Sequence, residues 1–140
     1  MNRLRSAFVA LGLLLAVSAA QAQETRVKAD IPFNFVVGNQ VLPAGQYLVT
    51  SQGMDNSSLL IRSDDRSAAV FSTSYPCSSV KPSGTTKLVF HNVAGRYFLS
   101  QVWAQGNSSG RQIPKSGAEI ELAKNHQAPE EFILAATLTR

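Results

Sequence analysis

Two histidines, one cysteine and nine carboxylates are the side chains of this chain suited to acid, base, nucleophilic or metal chemistry. His91 sits in K-L-V-F-H-N-V and alternates with Val89 and Val93, the setting of a structural strand histidine rather than of a general base. His126 lies in the polar stretch A-K-N-H-Q-A-P and reads as solvated. Cys77 occupies Y-P-C-S-S with no activating neighbour beside it, so it reads as a partly buried bystander. As the only cysteine it can form no internal bridge, and a disulfide-linked dimer is the alternative. Asp64 and Asp65 are adjacent and would diverge on a strand. They sit in S-D-D-R, where aspartate caps a turn. An acid pair for glycoside cleavage would have to come from Asp30, Asp55, the two turn aspartates or the four glutamates between 119 and 131, and nothing singles out two of them.

The organised motifs of catalysis are missing. There is no G-x-S-x-G elbow, H-E-x-x-H, C-x-x-C, EF-hand loop or glycine-rich phosphate loop. No catalytic residue, metal or cofactor is therefore expected. The side chains best suited to contact a partner are aromatic. Tyr75, Tyr97 and Trp103 would make a platform for a glycan or another flat surface, unless Tyr97 and Trp103 are spent on core packing. Tyr75 lies beside Pro76 and a serine-rich loop and reads as the more exposed.

Strands must position these groups. Lys87 to Gln105 reads as two long strands joined at Ala94-Gly95, with Gly95 supplying the positive φ of a tight turn. Simple alternation groups Tyr97, Leu99, Gln101 and Trp103 on one face and Phe98, Ser100, Val102 and Ala104 on the other. Neither face is cleanly polar, so the hairpin belongs in the middle of a sheet covered on most of both sides. Thr25 to Val37 is extended with a break at Pro32, which marks an edge, a bulge or a change of partner. Pro43-Ala44-Gly45 turns into a strand from Tyr47. Ser58 to Arg62 and Ser67 to Ser74 make a second hairpin, with Ala69, Phe71 and Thr73 sharing a face. Pro76 to Gly84 and Gly106 to Gly110 read as loops. Ser116 with Glu119 is an S-x-x-E capping box, so 116–125 reads as the one helix, with a strand the alternative because Ile120 and Leu122 alternate with Glu119 and Glu121. Phe132 to Thr139 is the last strand. About seven strands and a short helix predict an all-β fold, a single antiparallel β-sandwich or flattened barrel, with Phe35, Phe71, Phe90, Leu99 and Phe132 as core candidates.

The first residues read as an address rather than as part of this body. M-N-R-L-R, an apolar run from Ala7 to Val17 and the small-x-small end Ala20-Gln21-Ala22 form a secretory signal peptide over residues 1–22. Eleven apolar residues are too few to span a hydrocarbon core of roughly 30 Å. Cleavage leaves residues 23–140 as a single β-domain, periplasmic or extracellular, with no membrane span. It removes Arg3 and Arg5 from the thirteen basic residues, leaving eleven against nine acidic ones. That balance, with no basic cluster, argues against nucleic acid as a partner.

The blocks I-P-F-N-F-V-V-G-N-Q-V-L-P-A-G-Q-Y (31–47), K-L-V-F (87–90), Y-F-L-S-Q-V-W (97–103) and I-P-K-S (113–116) resemble a family of small exported proteins of environmental bacteria. The resemblance spans nearly the whole mature chain. It implies an exported single domain and brings no catalytic residues with it. Together these readings predict a non-enzymatic β-domain with a binding or structural role in the envelope or outside the cell, its partner a protein or a glycan. Two alternatives stand beside it: a small apolar-ligand carrier built as a closed barrel, and a hydrolase with a site assembled from dispersed residues. The leader is tested by expressing the full chain in a bacterium and weighing the soluble product. A mature mass beginning at Gln23 is expected, and an uncleaved chain would remove the export reading.

Overall fold

The computed structural model describes residues 25–126 and 128–139. The expected leader lies outside them. The described chain is an all-β sandwich of two sheets with one short helix. The first sheet contains β1 (Arg26–Ile31), β4 (Gly45–Gln52), β5 (Ser58–Ser63), β6 (Ala69–Thr73) and β12 (Thr137–Thr139), in the order β12-β1-β4-β5-β6. The second runs β11-β8-β9-β10-β7, from β7 (Tyr75–Ser78), β8 (Lys87–Val93), β9 (Arg96–Trp103), β10 (Ser109–Gln112) and β11 (Glu130–Ala135). A small hairpin of β2 (Phe35–Val37) and β3 (Gln40–Leu42) joins the second sheet through a parallel pairing of β2 with the start of β9. Helix α1 spans Gly117–Asn125.

The strands are shorter and more numerous than the seven expected, because the chain changes sheet in the middle of extended runs. Pro32 separates β1 from β2 in the other sheet, Ser74 separates β6 from β7, and Ala136 separates β11 from β12. Part of the loop expected at 76–84 is therefore strand β7, which pairs Tyr75 to Ser78 with β10. Each corner satisfies its own backbone groups, as buried or bent backbone must. The Asn34 side chain accepts from Ala44 N–H at 3.0 Å, tying two neighbouring crossings together. Ala136 N–H donates to Thr86 O at 2.9 Å.

The central hairpin of β8 and β9 is as expected, with both faces covered. Its turn places Ala94 at φ 52° and Gly95 at φ 80°, and Asn92 Oδ1 accepts from Gly95 N–H at 3.1 Å. Two consecutive positive φ values match the right-handed twist of the flanking strands. The expected face assignment fails beyond Ser100. Val89 pairs with Gln101 but Phe90 pairs with Leu99, so Ser100 is an extra residue in a β-bulge. The bulge resets the alternation. Tyr97, Leu99 and Val102 pack into the interior with Leu88 and Phe90, while Phe98 joins a separate cluster on the outer face. The bulged Ser100 carbonyl accepts from Ile113 N–H at 2.8 Å.

Between the sheets lies one apolar cluster that includes Val27, Ile31, Phe35, Tyr47, Ile61, Leu88 and Phe90, with both sheets contributing. Burying a side chain of this size contributes about 1.5–3 kcal/mol. Phe35 stands edge-on to both Tyr47 and Phe90, with centroids 5.0 and 5.7 Å apart. Two core candidates are elsewhere. On β6 it is Val70 that turns inward, so Phe71 is 68% exposed. Phe132 is on edge strand β11 and keeps 39% exposure while touching Phe33 edge-on.

Helix α1 covers part of the outer face of the second sheet. Leu122 and Ala123 pack on Val36, Val93 and Phe98. Ser116 Oγ accepts from Glu119 N–H at 3.2 Å, as the capping box requires. The Glu119 side chain does not close the box. Its Oε1 instead lies 2.8 Å from His91 Nδ1, and both side chains are largely buried. Further along this face the Trp103 indole is 7% exposed and lies over Gly110. A Cβ at position 110 would stand 2.7 Å from the ring and 2.9 Å from Val102 O, closer than atoms pack. Gly110→Ala is therefore expected to destabilise the domain by about 1–3 kcal/mol, as overpacking does. A lowered urea midpoint with a shifted tryptophan emission would confirm it, and an unchanged midpoint would show that the indole does not rest there.

Candidate functional site

Strands β6 and β7 are the edge strands of the two sheets on one side of the sandwich, joined by the single residue Ser74. Ser74 is 2% exposed, and its polar atoms are all engaged. Its N–H donates to Ser57 O at 2.7 Å and its hydroxyl lies 3.2 Å from the same carbonyl. Arg111, on β10, completes the corner. Arg111 Nε donates to Ser74 Oγ at 2.9 Å and Nη2 donates to Ser74 O at 2.7 Å. The register explains the direction of this side chain: Arg111 pairs with Val102, which faces the interior, so Arg111 also points between the sheets.

Beside this corner the sheets part and leave a cleft of about 230 Å³. Val49, Leu59 and Val102 line it from the core side, and Ser51, Asn56, Asn107 and Ser109 make it polar elsewhere. Arg111 is the charged residue among the described residues of the lining. Its charge acts on Asp55, whose carboxyl is held below its ordinary range first by hydrogen bonds from Ser57 and last by Arg111, and it also acts on the Cys77 thiol. Outside the corner two aromatic rings stand in solvent. Phe71 is on β6, and Tyr75, 57% exposed, opens β7. A wider hollow of about 470 Å³ runs along β6, between Phe71, the β2–β3 turn and Lys115.

The aromatic residues singled out from sequence divide. Tyr75 and Trp103 share the outer face of the second sheet, since Tyr75 pairs with Gln112, Gln112 with Gln101, and Trp103 Nε1 donates to Gln101 Oε1 at 2.9 Å. Of these two, Tyr75 offers its ring to solvent and Trp103 is buried. Tyr97 is half-buried on the opposite face, stacked on Phe33 with centroids 3.9 Å apart. Arg111 and Ser74 carry no sequence signal. They are 37 residues apart, one in a serine-glycine-arginine stretch and one at a strand end.

Several of the groups suited to chemistry are engaged structurally, while His126 lies exposed at the end of the helix. His91 is paired to Glu119 under the helix and lines neither hollow. Cys77 is half-buried on β7, where desolvation pushes its thiol up. Asp65 is a turn cap: its Oδ1 accepts from Ser67 N–H at 3.0 Å and from the Ser67 and Ser63 hydroxyls at 2.7 Å each. Among the described residues no group of three or more His, Cys, Asp or Glu is placed to hold a metal ion, and no helix is long and apolar enough to cross a membrane. No family model, curated protein or solved structure matches the chain.

The Asp65 contacts set an acid response. Hydrogen bonds from Ser67 and then Ser63 lower its pKa from 3.8 to about 2. A carboxyl depressed in the folded state adds stability above its unfolded pKa and loses it as pH falls through the folded value. Asp65→Asn is therefore expected to flatten the fall in melting temperature between pH 4 and pH 2, the window set by those two values. Parallel acid limbs for variant and parent would remove this role.

Proposed function

We propose that the mature chain is an exported, non-enzymatic β-domain that binds a protein or glycan partner in the envelope or outside the cell. The edge where β6 and β7 meet is the binding surface, with Phe71 on the outer face of the first sheet and Tyr75 on that of the second. The observation that carries this reading is the pair of exposed aromatics, Phe71 and Tyr75, on the two strands that leave the Ser74 corner. Aromatic side chains give large contact area at low entropic cost, and they are enriched where surfaces recognise partners. The corner behind them is fixed by five hydrogen bonds of Ser74, so the rings are presented by ordered backbone. Edge strands also offer unpaired backbone groups to an incoming extended segment.

The alternatives draw less support. The carrier reading called for a closed barrel with an apolar lumen, whereas the space between these two sheets is filled by the Phe35–Phe90 cluster. The hydrolase reading called for a cleft holding His91 or two carboxylates, and His91 is engaged by Glu119. The test is the double variant Phe71→Ser, Tyr75→Ser. Exposed substitutions of this kind change stability by about 0.5 kcal/mol or less. Retention on envelope material, with insoluble glycan and membrane-protein fractions assayed separately, is expected to fall at least tenfold. Undiminished retention of a folded double variant would remove this surface from the proposal.

A further inference from the structure

We propose that the cleft between the sheets is a binding site for a small amphipathic monocarboxylate, with its carboxylate on Arg111 and its tail against Val49, Leu59 and Val102. The proposal deepens the reading of the domain as a binder and assigns a second ligand class to a second surface.

An arginine carries five N–H donors. Two of those on Arg111 go to Ser74, and among the described residues the other three have no acceptor. The guanidinium is thus held in place by one edge and open at the rest. Among the described residues that line the cleft there is no carboxylate to neutralise it. Asp55, an acid on which Arg111 acts, spends its Oδ1 on Ser57 N–H at 3.1 Å. A charged fork in a recess that also has an apolar wall suits a ligand with an anionic head and an apolar body. One guanidinium balances one carboxylate, and the bidentate geometry matches it. A phosphate dianion would bring a second charge with no second cation among the described lining residues to meet it. The volume limits the ligand: 230 Å³ is room for about eight waters at about 30 Å³ each, so the tail is short.

Octanoate is the probe, titrated calorimetrically into the full exported chain beside 1-octanol and inorganic phosphate. Saturable one-site binding of octanoate is expected, at least tenfold tighter than octanol, with no phosphate binding below about 10 mM. Arg111→Gln should abolish the difference between octanoate and octanol. Because Arg111 also holds the corner, Ser109→Phe is the second variant. Ser109 shares the Arg111 face of β10 and lines the cleft without touching the guanidinium contacts. It should weaken octanoate at least tenfold with little change in melting temperature. Equal affinity for octanol, equal affinity for phosphate, no octanoate binding below about 10 mM, or octanoate binding untouched in a folded Ser109→Phe variant would each overturn the assignment. Retention on envelope material through Phe71 and Tyr75 is scored separately, so either surface can fail while the other stands.

Discussion

One extra residue in one strand decides how this sandwich is filled. Without the bulge at Ser100, strict alternation would carry Trp103 to the inner face with Leu99 and send Val102 outward. With it, Tyr97, Leu99 and Val102 all face the opposing sheet, and Phe98 and Trp103 are released to the other side. That second side then needs cover of its own. Helix α1 supplies it at Phe98, and the bare backbone of Gly110 supplies it at Trp103. The bulge also frees the Ser100 carbonyl for Ile113, which brings the chain back across the sheet toward the helix.

With one cysteine, the domain has no disulfide to hold the sheets together. The restraint comes from the corners, where the chain itself passes between sheets. At Ser74 the crossing is pinned by a charged donor and by the carbonyl of Ser57, so one residue ties β6, β7, β10 and the turn that leads into β5. Removing such a node leaves buried polar groups unpaired, which costs more than the bonds themselves contribute. The same node shapes the cleft, because the side chain that pins the corner is also its charged lining.

What was legible in the sequence was local. The Ala94-Gly95 turn, the Ser116 cap and the Asp65 turn each rest on residues within five positions of one another, and each is present. The all-β class followed from strand spacing and turn residues, which left sandwich and flattened barrel both open. What escaped depended on partners far along the chain. A bulge leaves no mark in composition, so the faces of β9 were misassigned beyond Ser100. Phe71 was placed inside on hydrophobicity, but parity on β6 gives that place to Val70. Glu119 was assigned to the capping box, and a histidine 28 residues earlier takes its carboxylate. Arg111 and Ser74 meet only because β10 and the β6–β7 corner are folded together. Of the three aromatics proposed for contact, sequence context separated Tyr75 from the buried Trp103, since proline and serines do not build a core.

The first described strand and the last lie side by side. Arg26 pairs with Thr139, and Thr139 Oγ1 donates to Arg26 O across 113 positions of sequence. β1 is therefore an interior strand only after β12 has arrived. Until then its outer hydrogen-bonding edge is bare, next to Val27 and Ala29 on the face that must be buried. Closing so long a loop is slow, and the chain gains nothing from this contact beforehand. A polypeptide threaded out of a ribosome or across a membrane from its N-terminus would stay unfinished until nearly all of it had passed. Delayed closure of that kind keeps a chain threadable in transit and commits it to its final shape on arrival.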